Sequence, residues 1–368
     1  MIDGKVLYFP VLILIPELTI RLQLPESKQH NYLKNWLNTY SMDNIQGELK
    51  SASEIALRDC MGLKCDERLL VITDEVKRDI GIALHEAGKT ICKESILVEI
   101  KSREINGEEP PPQVSQLMKM VDVVVCPTAK SLTHTNARRE AAKKGVRVGT
   151  MPGITIDTMV RCLNADYDKI IALTDYIAEK LVGVNTIRVT TQKGTDVTMP
   201  VKGRIIIPSR GVLRQRGESG NLPSGEVYLA PWEDQTNGRV VVDGSMASVG
   251  ICETPITIDI VNGYAETITG GKEAEKLIEL FEKSGREARA VAEFGIGTNY
   301  KAKLVGLILE DEKVFGTIHI AFGNNLSMGG RISVSSHLDG LVKEPNVYFD
   351  DELIMEKGKL IGFKGGLK

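Results

Sequence analysis

The chain has 368 residues, enough for two domains that each bury a core of their own. Apolar residues make up 42% and charged residues 26%, the balance of a soluble globular protein rather than a disordered one. A formal net charge of −3 supplies no field for nucleic acid or an anionic membrane surface, so neither is expected as a partner.

The first apolar stretch, VLYFPVLILIPELTI, is broken by Pro10 and Pro16 and carries Glu17. It is too short to span a membrane and has neither the basic leader nor the small-residue cleavage site of a secretory signal. Residues 1–41 therefore read as an extension, either an appended strand or the product of an upstream start with Met42 the usual beginning. The cysteines, Cys60, Cys65, Cys92, Cys126, Cys162 and Cys252, are scattered with no CxxC pair. That pattern excludes a zinc ribbon or disulfide framework and makes a reducing cytoplasm the expected location.

From about residue 66 strands and helices alternate. RLLVIT is β-rich, DEVKRDIGIALHEAGKT is helical, and SILVEI is again a strand. KSREINGEEPPPQ follows as a loop, its three prolines arguing against helix or ladder. Then come QLMKMV (helix), DVVVCPT (strand), TNARREAAKKG (helix ending at Gly145) and VRVGTM (strand). This rhythm predicts a parallel sheet covered on both faces, a Rossmann-like α/β domain over 42–183. Its last helix, NADYDKIIALTDYIAEKLVG, lines up Ile170, Leu173, Ile177 and Leu181 and stops at Gly183.

Past residue 184 the composition turns to β. NTIRVTTQKGTDVTMPV reads as a hairpin turning at Lys193-Gly194, and GRIIIP, GEVYLAP, GRVVVDGS and ITIDIVNG continue as strands. One helix, GKEAEKLIELFEKSG, interrupts them. The expected fold class is thus α/β plus mostly-β: an N-terminal parallel-sheet α/β domain followed by a β-rich metal-binding domain over 184–368.

Several familiar motifs are absent. HEAGK at His85 has Lys89 where a zinc helix needs a second imidazole, so it reads as a surface helix. No GxGxxG follows the first strand, and neither a P-loop nor a GxSxG elbow occurs, so the α/β rhythm carries no nucleotide or hydrolase signal. Thr133, His134 and Thr135 precede a helix carrying Arg138 and Arg139. Free N–H groups at that helix start, with Thr135 and Arg138, form a candidate anion site; a capped helix with solvated arginines is the plainer reading.

The β-rich half places polar residues on β-runs beside glycines. In SSHLD, His337 and Asp339 are two apart on a strand and share a face, roughly 6–7 Å from one another. In GTIHIAFGNN, Ile318, Ile320 and Phe322 take one face, and His319 takes the other between Thr317 and Ala321. In AVAEFGIGTN, Glu293 stands between Val291 and Gly295, costly to bury without a cationic partner. Glu226 follows the Pro-Ser-Gly turn of NLPSGEVYLAP. Two imidazoles and three carboxylates offer more donors than one open catalytic ion uses. Two divalent ions bring four positive charges against three negative ones, and a bridging hydroxide balances the remainder. Mixed N/O ligation without thiolate suits Zn, Co or Mn; His319, His337 and Asp339 alone would instead form a two-histidine, one-carboxylate set for one Fe(II).

In order and spacing, NLPSGEVYLAP, AEFGIGTN, HIAFG and SSHLD resemble the aminopeptidase T / aminopeptidase S family of metallopeptidases (family M29). The resemblance is firmest from about 220 to 345 and weaker back through THTNARREAAKKGVRVGTMPGIT. It implies a dimeric, dinuclear aminopeptidase acting on peptides or small amino-acid derivatives. Its metal ligands would be Glu226, Glu293, His319, His337 and Asp339, with Glu226 or Glu293 shuttling the proton. Two departures stand against it: the chain is shorter than typical members, and Leu326 occupies the place of a family tyrosine at the metal site. Dihydroxypyridine dioxygenases with one Fe(II) look similar in overall plan, but carry histidine at the place of Glu293 and lack one at that of His319. The peptidase-like choice at both positions makes an aminopeptidase the first expectation, a ring-cleaving dioxygenase the alternative, and a non-enzymatic metal-binding module a third reading.

Overall fold

The computed structural model describes the backbone of residues 11–15, 18–22 and 42–365, and side chains from 45 to 365. The chain divides into a unit of residues 1–49 and a unit of residues 50–368. In the first, β1 (Val11–Ile15) and β2 (Leu18–Leu22) pair antiparallel; the rest of the expected extension, residues 1–10, 16–17 and 23–41, lies outside the described residues. Helix α1 covers Met42–Ile55 and runs on through a π turn at Ala56–Cys60.

The α/β rhythm produces a parallel sheet. Strands β3 (Arg68–Asp74), β4 (Glu94–Ile100), β5 (Val123–Thr128) and β6 (Arg147–Pro152) stand in the order β6-β5-β3-β4, all parallel. Every residue of β5 is buried, as expected for a strand covered on both faces. The connecting helices are α2 (Arg78–Ile91), α3 (Pro112–Leu117) and α4 (Asn136–Lys143). The proline loop behaves differently from expectation: Pro111 caps α3 and Pro112 opens it, because the first turn of a helix needs no N–H donor there. After β6 come α5 (Ile156–Leu163), capped by Thr155 and not foreseen in the sequence, and α6 (Tyr167–Leu181), capped by Asp166 and followed by Gly183 at φ +82°.

From here the chain weaves two antiparallel sheets. Its strands in order are β7 (Thr186–Thr190), β8 (Asp196–Pro200), β9 (Ile207–Ser209), β10 (Ser219–Asn221), β11 (Glu226–Leu229) and β12 (Asn237–Val242). There follow β13 (Ser245–Met246), β14 (Gly250–Ile251), β15 (Ile256–Val261), β16 (Tyr264–Thr269), helix α7 (Lys272–Ser284) and β17 (Val291–Gly297). The short helix α8 (Ile308–Asp311) precedes β18 (Thr317–Gly323), β19 (His337–Lys343), β20 (Asn346–Phe349), β21 (Glu352–Glu356) and β22 (Lys359–Leu360). One sheet is ordered β14-β13-β19-β18-β17-β11-β9 and the other β16-β15-β12-β8-β7-β20-β21-β22. Strand β10 joins neither; it returns to the edge of the parallel sheet beside β6.

One core fills the space between the two antiparallel sheets. Ile187, Val189, Val197 and Met199 from one meet Phe294, Ile296, Ile318, Ile320 and Phe322 from the other. Alternation along β17 and β18 therefore sends the remaining residues of those strands to the opposite face, where the polar cluster lies. That face is tied to the α/β half. Thr174 of α6 and Thr298 share a 2.7 Å hydroxyl contact, and Asn299 Nδ2 donates to Ser224 O at 3.1 Å, pinning the end of β17 to the Pro-Ser-Gly turn.

The strongest tie is Glu310, fully buried at the α8 end of the charged run LEDEK. It accepts from Thr158 Oγ1 at 2.6 Å, from Arg161 Nε and Nη2 at 2.8 Å each, and from Lys303 N at 2.9 Å. Burial pushes its carboxyl up, but these donors, Arg161 foremost, reverse that and hold it below the ordinary range. Glu310→Gln is expected to cost about 3 kcal/mol near neutral pH in a urea titration, as for a broken buried pair. A depressed carboxyl contributes fully above its ordinary value of about 4.3 and loses that contribution as pH falls through the lower folded value. The gap between wild type and variant should therefore close in acid; a gap that persists unchanged would mean that charge is not its source.

Candidate metal centre

Four neighbouring strands, β19, β18, β17 and β11, each bring a polar residue to one face. The register does this directly: Glu226 lies opposite Gly297, Gly295 opposite His319, Ala321 opposite both Glu293 and Asp339, and Gly323 opposite His337. Regular alternation with Gly295 sets Glu293 on this face, and a bulge between Val291 and Glu293 shifts the register of what precedes it. The bulge corrects the sequence reading: Val291 pairs with Phe322 and joins the apolar core instead of flanking Glu293.

The glycines have a steric purpose. The His319 imidazole lies over Gly295, where an added Cβ would come 2.1 Å from Nε2. This leaves room for a fully buried imidazole to reach its neighbours. His319 Nε2 bonds Glu293 Oε1 at 3.0 Å and lies 3.6 Å from Glu226 Oε2. The other oxygen of Glu293 lies 3.1 Å from His337 Nε2, which is 3.4 Å from Asp339 Oδ1. His337 Nδ1 lies 2.7 Å from Asn324 O and donates to it when protonated, while Nε2 is turned toward the carboxylates. Glu226, Glu293, Asp339 and His319 are buried, whereas the His337 side chain is 30% exposed, so solvent reaches the cluster from its side.

The electrostatics follow from burial among charges. Burial alone would raise Glu293, but hydrogen bonds from His319 and His337 and their charges hold it well below the carboxylate range. Burial likewise opposes the charged imidazoles, yet Glu293 and the other carboxylates bring His319 up to about 9 and His337 well above its ordinary value. Glu226 is raised, chiefly by burial. Two hydrogen-bonding positions remain unsatisfied at its heart, Glu226 Oε2 and His319 Nδ1. Two overlapping donor groups result, Glu293–His337–Asp339 and Glu226–Glu293–His319, each with ligand atoms within 4.8 Å of one another. Buried imidazole and carboxylate donors of this kind fit a divalent first-row metal.

All five residues singled out in the sequence thus meet, but His319, His337 and Asp339 do not form one set by themselves. Glu293 stands between the two imidazoles, one on each of its oxygens. The helix start at Thr135 and Arg138 is already filled. Thr135 accepts from Arg138 N, and the carboxylate of Glu109 takes the N–H groups of Asn136 and Ala137 at 2.5 and 3.0 Å. Arg138 itself donates to Thr133 O and Ser219 Oγ, each at 2.8 Å. The protein therefore supplies its own anion there. Leu326 is half exposed in a single 3₁₀ turn and adds no donor where the peptidase family has tyrosine.

Three participants went unseen in the sequence. Lys313, 1% exposed, donates to Glu226 Oε1 at 2.7 Å and also to Glu312. It sits in a charge run that reads as a solvated face. Burial first, and then the charges of Glu226 and Asp339, lift Glu312 to about 8. Tyr228, opposite Gly295, shares the polar face, and burial beside Glu226 and Glu293 keeps its phenol protonated.

A family profile described as NicX, 2,5-dihydroxypyridine 5,6-dioxygenase, matches residues 82–362. The chain belongs to this family. A curated relative from Pseudomonas putida KT2440, 2,5-dihydroxypyridine 5,6-dioxygenase, is 24% identical over 258 residues, covering 66% of this chain and 72% of its own. The solved 2,5-dihydroxypyridine dioxygenase from the same organism has a TM-score of 0.75 at 19% identity, covering 87% of this chain and 98% of that one. Wild-type AmpT from Thermus thermophilus shares the fold, with a TM-score of 0.62 at 16% identity over 85% of this chain and 99% of that one. The fold expected from the peptidase motifs is therefore present. The activity expected from them is not supported: both the NicX profile and the curated relative name a dioxygenase, which overturns the reading as a hydrolase acting on peptides. Among the described residues no helix is long and apolar enough to cross a membrane.

Gly295→Ala tests whether the centre depends on the space that Gly295 leaves for His319. The new methyl group must displace the imidazole from Glu293, so metal affinity is expected to fall at least about 10-fold, as when a ligand's support is removed. Isothermal titration with Mn²⁺ reads this directly; unchanged affinity in a folded variant would show that His319 does not support the centre.

Proposed function

We propose that this protein is a ring-opening dioxygenase acting on a dihydroxylated pyridine, with one Fe(II) held by Glu293, His337 and Asp339. The observation that carries the reading is the family match over most of the chain, coinciding with a buried imidazole–carboxylate group at the end of the sheet that opens to solvent. One imidazole and two carboxylates depart from the two-histidine, one-carboxylate pattern of many ferrous oxygenases, but the donor types still suit Fe(II). Bound ferrous iron supplies the redox chemistry that lets triplet dioxygen react with a singlet aromatic ring.

The chain's own residues do the remaining work. Asn324 fixes the tautomer of His337, and His319 holds Glu293 from the other side. His134, just before α4, interacts electrostatically with His337 although the two belong to different halves of the fold. The protein around it, and then the charges of His337, Arg138 and Arg139, keep its imidazole below the ordinary value. Overall, both atoms of one O₂ enter the product as the ring bond between the hydroxylated carbon and its neighbour breaks, with no external reductant.

Protein loaded with Fe(II) under anaerobic conditions and then mixed with 2,5-dihydroxypyridine in air-saturated buffer should consume about one O₂ per ring opened, and His337→Ala should slow this by about 100-fold or more. An oxygen electrode and the loss of ring absorbance measure both. No oxygen uptake with any dihydroxylated pyridine, iron being present in the centre, would end the proposal.

A further inference from the structure

The two donor groups share Glu293 but differ in two respects. Glu293–His337–Asp339 has no lysine or arginine paired with it among the described residues and has the exposed edge of His337 as an entry. Glu226–Glu293–His319 is wholly buried and has a lysine built against it. Lys313 Nζ donates to Glu226 Oε1 and to Glu312, and with a side chain only 1% exposed it has no solvent to retreat into. Glu226 therefore keeps a single oxygen, Oε2, for anything else, and that oxygen faces His319 at 3.6 Å without a hydrogen bond. A divalent ion in this group would share the Glu226 carboxylate with an ammonium, and a like charge at such range is strongly unfavourable in a site with little water.

We infer that Lys313 takes the place of a second cation and restricts the centre to a single metal ion, bound by Glu293, His337 and Asp339. The inference rests on the metal-centre reading above. It assigns the Lys313–Glu226–His319 series a positioning role: it supplies fixed positive charge on one side of Glu293 while the ion occupies the other. It also accounts for how five donors that could serve two ions serve one. Without the lysine, Glu226, Glu293 and His319 are a complete three-donor site.

The test is metal stoichiometry, with Mn²⁺ alone as the probe, by equilibrium dialysis followed by elemental analysis. Wild type should bind about one Mn²⁺ per chain and Lys313→Met about two, the second ion tightening by on the order of 100-fold or more once the ammonium is gone. Because Lys313→Met leaves Glu312 without its partner, Lys313→Met/Glu312→Gln, which removes that bare carboxylate as well, is prepared alongside it. Circular dichroism and a urea titration establish that each variant is folded. Two ions in wild type, or one ion in a folded variant, would overturn the role of Lys313 and leave the metal centre standing. No ion bound by wild type or by any folded variant would overturn the metal-centre reading itself, and the inference with it.

Discussion

Burying several carboxylates side by side on one face of an antiparallel sheet is the constraint around which this half of the molecule is arranged. Glu226, Glu293 and Asp339 are each less than a tenth exposed, and Glu312 is joined to Glu226 through Lys313. An isolated buried carboxylate would protonate rather than stay charged, so each needs positive charge or hydrogen-bond donors close by. Lys313 serves Glu226 and Glu312, His319 and His337 serve Glu293, and His337 serves Asp339. The glycine opposite His319 and the register of β11, β17, β18 and β19 bring these pairs within reach.

The same constraint clarifies why ligand motifs alone misdirect. NLPSGEV, AEFGIG, HIAFG and SSHLD set donors on adjacent strands, and a sheet of this shape presents them together whatever the chemistry. Function depends on what stands around those donors. Here a lysine lies on the Glu226 side, and an exposed leucine stands where the peptidase family has a tyrosine. The fold is common to the dioxygenase and AmpT structures, so it does not choose between them; the family match over residues 82–362 does.

The α/β half is more than a support. Its parallel sheet carries no phosphate-binding loop, and the one helix start that looked free for an anion is filled by Glu109. Its contributions are mechanical and electrostatic. Arg161 and Thr158 hold Glu310, the residue that anchors the run leading to Lys313, and His134 projects its influence as far as His337. A change in how the two halves meet would thus be felt at the centre through α8.

Much was legible in the residues themselves. Alternating helix and strand periods determine the parallel sheet, because a 3.6-residue and a two-residue repeat cannot be confused over several elements. Two-residue spacing likewise determines that His337 and Asp339 share a face and that Ile318, Ile320 and Phe322 take the other, since side chains alternate along a strand whatever it pairs with. Local pattern does not contain register. That Glu293 falls between two imidazoles depends on how β17 pairs with β18 and β18 with β19, and that Val291 turns to the core follows from a bulge just before Glu293. Burial of a charged run is equally invisible locally. LEDEK has the composition of a solvated surface, and only the packing of α8 against α5 and of Lys313 against Glu226 decides that it is interior. Long-range pairing selects the partners of each charge, and those partners determine what the shared set of ligands can hold.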